Sequence, residues 1–176
     1  MTDVNYVADT AFCWDEYGLY VGMFIVGYYV PQHMRVGSLF TSVTIPAGAT
    51  ISEAHIRFQN GYSQYSSGTC RVYANDMATP SVPTTLEQAE GLVKTTEYVI
   101  ATPTGVEDDY WNTPDMKAVI QDLVDSYDYS TGGSMMFFTS DPSDNVTWYY
   151  RLNSINPTLY ITYNVSGGPK MQVIFV

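Results

Sequence analysis

An acidic run, Glu107-Asp108-Asp109, is followed closely by Trp111 and Asp115. Paired carboxylates hydrolyse glycosides when rigid strands hold them facing one another across a groove. Three neighbours on a loop beside Gly105 instead alternate in direction, so the better chemistry for Glu107, Asp108, Asp109 and Asp115 is oxygen ligation of a hard cation, calcium above all. The bland reading of the same residues is a solvated acidic loop, with Asp115 at the start of a helix. Nucleophilic catalysis would need a base, and the two histidines, His33 and His55, read as surface residues in a turn and on an outward strand face. No G-x-S-x-G, H-E-x-x-H, G-x-x-x-x-G-K or G-x-G-x-x-G pattern occurs. We expect no catalytic residues and no cofactor other than that calcium.

Aromatic side chains offer a second kind of site. Trp148, Tyr149 and Tyr150 are adjacent, so alternate rings on a strand face outward and could stack on a sugar, as could Trp111. The same rings also suit a core or a subunit interface, where Tyr and Trp are enriched. Cys13 and Cys70 are too few for a metal cluster and fit either one disulfide or two buried thiols.

The whole chain narrows these options. It has 176 residues with 18 acidic and 7 basic side chains, a formal charge of −11, and the basic residues are scattered singly. Phosphate-backbone binding requires clustered Lys and Arg, so nucleic acid and anionic membranes are set aside as partners. Leu19 to Val30, the most apolar early stretch, is interrupted by Gly22 and Gly27 and is shorter than the ~20 residues of a membrane span. No basic and apolar leader opens the sequence, so the chain is expected to stay in the cytoplasm where it is made.

The elements that must position these residues are mostly strands. In Ala49 to Gln59 the apolar residues Ala54, Ile56 and Phe58 alternate with His55 and Arg57, the period of a half-buried strand. Met34 to Val43, Thr69 to Ala74, Thr95 to Ala101, Ser134 to Thr139, Val146 to Leu152 and Thr158 to Tyr163 read similarly, with Gly and Pro turns between them. Thr113 to Ser126 differs, because Met116, Val119, Ile120, Leu123 and Val124 recur at helical spacing behind Thr113 as N-cap and Pro114 at the first helical position. The expectation is an all-β fold, a jelly-roll-like antiparallel β-sandwich with one short α-helix, forming a single domain over 1–165. Beyond a Ser166-Gly-Gly-Pro169 break, Lys170 to Val176 is a β-prone segment. Its Met171, Val173, Ile174, Phe175 and Val176 either return to the chain's own sheet or dock on another subunit.

The spacing of Phe40, Val43, Ile45-Pro46, Gly48-Ala49-Thr50-Ile51, Ala54, Ile56 and Phe58 resembles the F-x-x-V-x-I-P-x-G-A-T-I-x-x-A-x-I-x-F signature of DNRLRE and carbohydrate-binding-module-like β-sandwich domains. Thr113 to Val124, Gly132 to Met135 and Leu159 to Tyr163 fit the same pattern in the same order, so the likeness spans roughly residues 35 to 163. The motif itself is punctuation: Pro46 ends one strand, Gly48 turns the chain and small residues start the next. The resemblance implies a non-catalytic module, found either as a glycan-binding or spacer appendage of secreted bacterial proteins or as a free-standing virion component of tailed phages. Because the sequence starts at Met1 without a leader, the second setting is the leading expectation: a phage structural protein, a capsid decoration or tail-appendage subunit on the virion surface. Its expected partners are copies of itself and a capsid or tail protein. The competing expectation is an extracellular lectin-like module that takes a host-surface glycan.

Overall fold

The computed structural model describes residues 1–14, 19–21, 35–59, 69–102, 109–140 and 157–165. The strands are β1 (Thr2–Val7), β2 (Thr10–Trp14), β3 (Leu19–Val21), β4 (Arg35–Val43), β5 (Ala49–Gln59), β6 (Cys70–Ala74), β7 (Val99–Ala101), β8 (Tyr110–Asn112), β9 (Gly133–Ser140) and β10 (Thr158–Val165). Two helices accompany them, α1 (Leu86–Glu90) and α2 (Lys117–Ser126). The strands form a four-stranded sheet in the order β1-β10-β5-β8 and a six-stranded sheet in the order β3-β2-β4-β9-β6-β7, antiparallel throughout. The chain is an all-β sandwich.

Alternation along the strands builds the main core. From the four-stranded sheet Ala54, Ile56, Phe58, Leu159, Ile161 and Tyr163 point inward, and from the six-stranded sheet Cys13, Val36, Phe40, Val72, Met135 and Phe137 meet them. Met116, Val119, Ile120 and Leu123 of the α2 region are buried in the same core. A second core lies on the outer face of the six-stranded sheet, where Phe12, Trp14, Tyr73, Met136 and Phe138 are covered by Ala89, Leu86, Val82 and Leu92. The small α1 therefore has a packing role that its five residues do not announce. At the centre of this face the Phe12 ring lies on the backbone of Gly37, its partner across β2 and β4, and a Cβ there would fall 2.6 Å from Phe12 Cε1.

Cys13 and Cys70 are both buried, on β2 and β6. Two strands stand between them, a separation of roughly 14 Å at sheet spacing. That exceeds the Cα reach of a disulfide, so no bridge joins them.

Two sequence expectations change in detail. The predicted Thr95 to Ala101 strand forms a ladder only over Val99–Ala101, with one further backbone bond from Thr95 N to Ala74 O at 3.1 Å. Upstream of it Thr95 Oγ1 accepts from the Ala74 amide at 3.1 Å, so a side chain takes the place of a ladder bond. The predicted helix starts later than Thr113, at Lys117. Thr113 is not its cap: its hydroxyl accepts from the Ile56 amide at 3.0 Å, because the segment before α2 runs along the edge of β5. Asp115 Oδ1 accepts from the Ala54 amide and from the Lys117 amide, both at 3.0 Å, so one carboxylate serves strand edge and helix start together.

The rest of that edge is closed in the same manner. Gln121 Oε1 accepts from Ile51 N at 2.8 Å, and its Nε2 donates to Ala49 O at 3.3 Å. Beyond the three residue pairs with β8, the β5 amides therefore find side-chain partners where a strand would have supplied carbonyls.

Candidate functional site

The inward set on β5 leaves Glu53, His55 and Arg57 on the outer face of the four-stranded sheet, and the inward set on β10 leaves Tyr160 there. Register brings them together. Tyr160 is directly across from His55, and their rings stack at 4.9 Å with an interplanar angle of 17°. On the other side Arg57 pairs with Asn112 of β8, and its guanidinium carbon sits 4.3 Å above the Tyr110 ring. Two stacked units thus lie side by side: imidazole on phenol and guanidinium on phenol.

His55, Arg57, Tyr110, Trp111, Asn112 and Tyr160 line an open groove of about 360 Å³. It is lined by aromatic rings, and its polar groups can all donate: the guanidinium only donates, while the imidazole, the Asn112 amide and two phenols can also accept. Among the described residues no carboxylate lines it, although the chain carries a formal charge of −11. Tyr110 is 54% exposed and presents its ring, whereas Trp111 is 7% exposed and stacks on Phe58 at 4.9 Å and 22°. A groove of this make suits a ligand with apolar faces and a hydroxyl-bearing rim, the chemistry of a sugar ring.

Of the residues singled out in the sequence, Trp111 borders this groove and Asp109 stands immediately before β8. Asp115 is committed to the β5 edge, and Lys117 Nζ lies 3.5 Å from its second oxygen in an exposed pair of small energetic weight. His33, Glu107, Asp108, Trp148, Tyr149, Tyr150, Met171, Val173, Ile174, Phe175 and Val176 lie outside the described residues. Among the described residues no three His, Cys, Asp or Glu side chains gather as a metal site.

Arg57, Tyr110 and Tyr160 were not singled out from sequence. Alternation already placed His55 and Arg57 outward and, by the same count, Tyr160. What sequence lacked was the register that sets His55 against Tyr160 and β8 beside Arg57.

Other ionisable groups are shifted by structural bonds away from the groove. Asp9 accepts from the Thr41 hydroxyl at 2.7 Å and the Thr41 amide at 2.8 Å, which together hold its carboxyl below the usual range. Burial pushes the Tyr129 phenol well above its ordinary value. Tyr127 is raised by donating to Asp76 Oδ1 at 2.8 Å. No protein-family model matches this chain, and no curated protein matches it significantly.

Proposed function

We propose that the chain is a non-enzymatic adhesion module that holds a saccharide on the outer face of its four-stranded sheet. The observation that carries this reading is the groove in which His55 on Tyr160 and Arg57 on Tyr110 set two aromatic platforms beside hydrogen-bond donors. Each ring is worth about 1 kcal/mol of stacking, so one Tyr→Ala change should weaken binding roughly fivefold. The sequence likeness of residues 40–58 to carbohydrate-binding-module-like domains supports the same assignment.

That likeness also supports the setting, a phage virion in which the chain is a decoration or tail-appendage subunit assembled with its own copies and a capsid or tail protein. In that setting the groove would take a host-surface glycan.

A glycan array followed by titration tests the site. Saturable binding that Tyr160→Ala and Tyr110→Ala each weaken about fivefold, with thermal melts near that of the parent, is the expected result. Binding untouched by both, or no binding at all, overturns it, and loss on Trp148→Ala alone moves the site to residues 148–150. Immunogold labelling of purified particles tests the setting, and particles free of the protein rule it out.

A further inference from the structure

One group in the groove of the four-stranded sheet is more than a neutral sugar requires. Arg57 is exposed, permanently charged and able only to donate hydrogen bonds. Its guanidinium carbon rests 4.3 Å above the Tyr110 ring, and a guanidinium supported on a ring still has N–H groups to offer a ligand. Across the sheet Arg57 lies between Asn112 of β8 and Thr158 of β10. His55, the next outward residue towards the start of β5, is about 7 Å away along the strand and has Tyr160 stacked against it.

A chain with 18 acidic and 7 basic side chains has many acids with which to border a groove. This one is bordered by Arg57 and His55 and, among the described residues, by no carboxylate. Glu53, the outward residue beyond His55, is four positions from Arg57. That is about 14 Å along the strand, past the ~8 Å over which charges act in physiological salt. A sugar laid in the groove strips water from the guanidinium, and the ligand must then meet the charge itself. A hydroxyl meets it with a neutral acceptor. A carboxylate meets it with two ionised oxygens in the geometry of the fork, through bonds roughly twice as strong.

We infer that the ligand of this groove is an acidic saccharide, with its carboxylate seated on Arg57 beside Asn112 and its ring towards the His55–Tyr160 pair. The inference rests on the saccharide reading of the groove and adds the charge class of the ligand to it. Tyr110 has two tasks in this arrangement, as a platform for the sugar and as the support under the guanidinium. Arg57 separates acidic sugars from neutral ones, whereas Tyr160 serves both.

Calorimetric titration of the full chain with paired probes tests it, and the readout is the ratio of affinities for an acidic sugar and its neutral counterpart. Trigalacturonic acid is paired with its carboxyl-reduced form and sialyllactose with lactose, so that uronic and sialic acids are told apart as sources of the carboxylate. At least one acidic probe should bind about tenfold tighter than its neutral partner. Arg57→Gln should bring that ratio close to one, and Arg57→Lys, which keeps the charge without the fork, should leave about threefold. Tyr160→Ala should weaken both members of a pair by the same factor. Arg57 is exposed, so the melts of its two variants should stay near that of the parent. Neutral sugars that bind as tightly as acidic ones, and weaken on Tyr160→Ala, overturn the inference and leave the saccharide reading standing. Absence of binding to any saccharide overturns both. An acid preference that survives Arg57→Gln, or a sulfated galactose oligomer that binds more tightly than either carboxylate, overturns the inference alone.

Discussion

The two sheets of this sandwich are used differently. The six-stranded sheet is apolar on both faces: its inner side faces the main core, and its outer side is roofed by α1 and residues 82–92 over Phe12, Trp14, Tyr73, Met136 and Phe138. The four-stranded sheet is apolar on one face only, and its outer side carries His55, Arg57, Tyr110 and Tyr160 in an open groove. An antiparallel sheet can leave one face to solvent without loss of core. The lesson is a division of labour among the described residues: one sheet gives both faces to packing, and the other keeps a polar and aromatic outer face, the one proposed to hold a ligand.

The sharpest way to break this comparison is to truncate one aromatic on each outer face. Phe138→Ala should cost about 3–5 kcal/mol, as a buried ring in a closed core does. Tyr160→Ala on the other sheet should cost under about 1 kcal/mol, the scale of a cross-strand pair. Urea titration of the two variants checks this, and equal losses would mean that both faces are structural. Next in size, Gly37→Ala should destabilise by about 1–3 kcal/mol, because the new methyl group meets the Phe12 ring and overpacks the roofed face. A neutral result would show that the second core is loose enough to yield.

The smallest effect concerns neither face. Asp9 titrates below an ordinary carboxyl in the folded chain because Thr41 bonds its ionised form. Its contribution is complete above the unfolded value of about 3.9 and is lost as pH falls through the lower folded value. The stability gap between the parent and Thr41→Ala should be largest near neutrality and shrink below about pH 4. Melts across that range measure it, and a gap that grows on acidification would contradict the assigned cause.

Much of the main core was legible in the sequence. The predicted bounds of β5 are the observed ones, the inward residues of β10 and of β5 from Ala54 onward follow simple alternation, and the apolar stripe of α2 is buried as its spacing implied. β2 and β9 show why the rest was harder: Phe12-Cys13-Trp14 and Met135-Met136-Phe137-Phe138 are continuous apolar runs because both of their faces are covered, so they carry no period that separates inside from outside. The helix start was misplaced for a different reason. Thr113, Pro114 and Asp115 make a plausible local N-terminus, but an unpaired strand edge competed for the same oxygens and won. The groove was half visible, since composition of a face can be counted along one strand but the neighbour across it cannot.

The side-chain closure of β5 also has a metrical consequence. The amides met by Thr113 and Asp115 are two residues apart, at Ile56 and Ala54, but the next one met, by Gln121, is three residues further on at Ile51. The extra step coincides with the register shift opposite Thr162 and Tyr163, where Ser52 is left over and its hydroxyl donates to Thr162 O at 3.0 Å. Counted along β10, however, Ile56, Ala54 and Ile51 face Leu159, Ile161 and Tyr163, two residues apart each time, so the bulge at Ser52 absorbs one residue of β5 while the three amides stay evenly spaced for the oxygens of Thr113, Asp115 and Gln121.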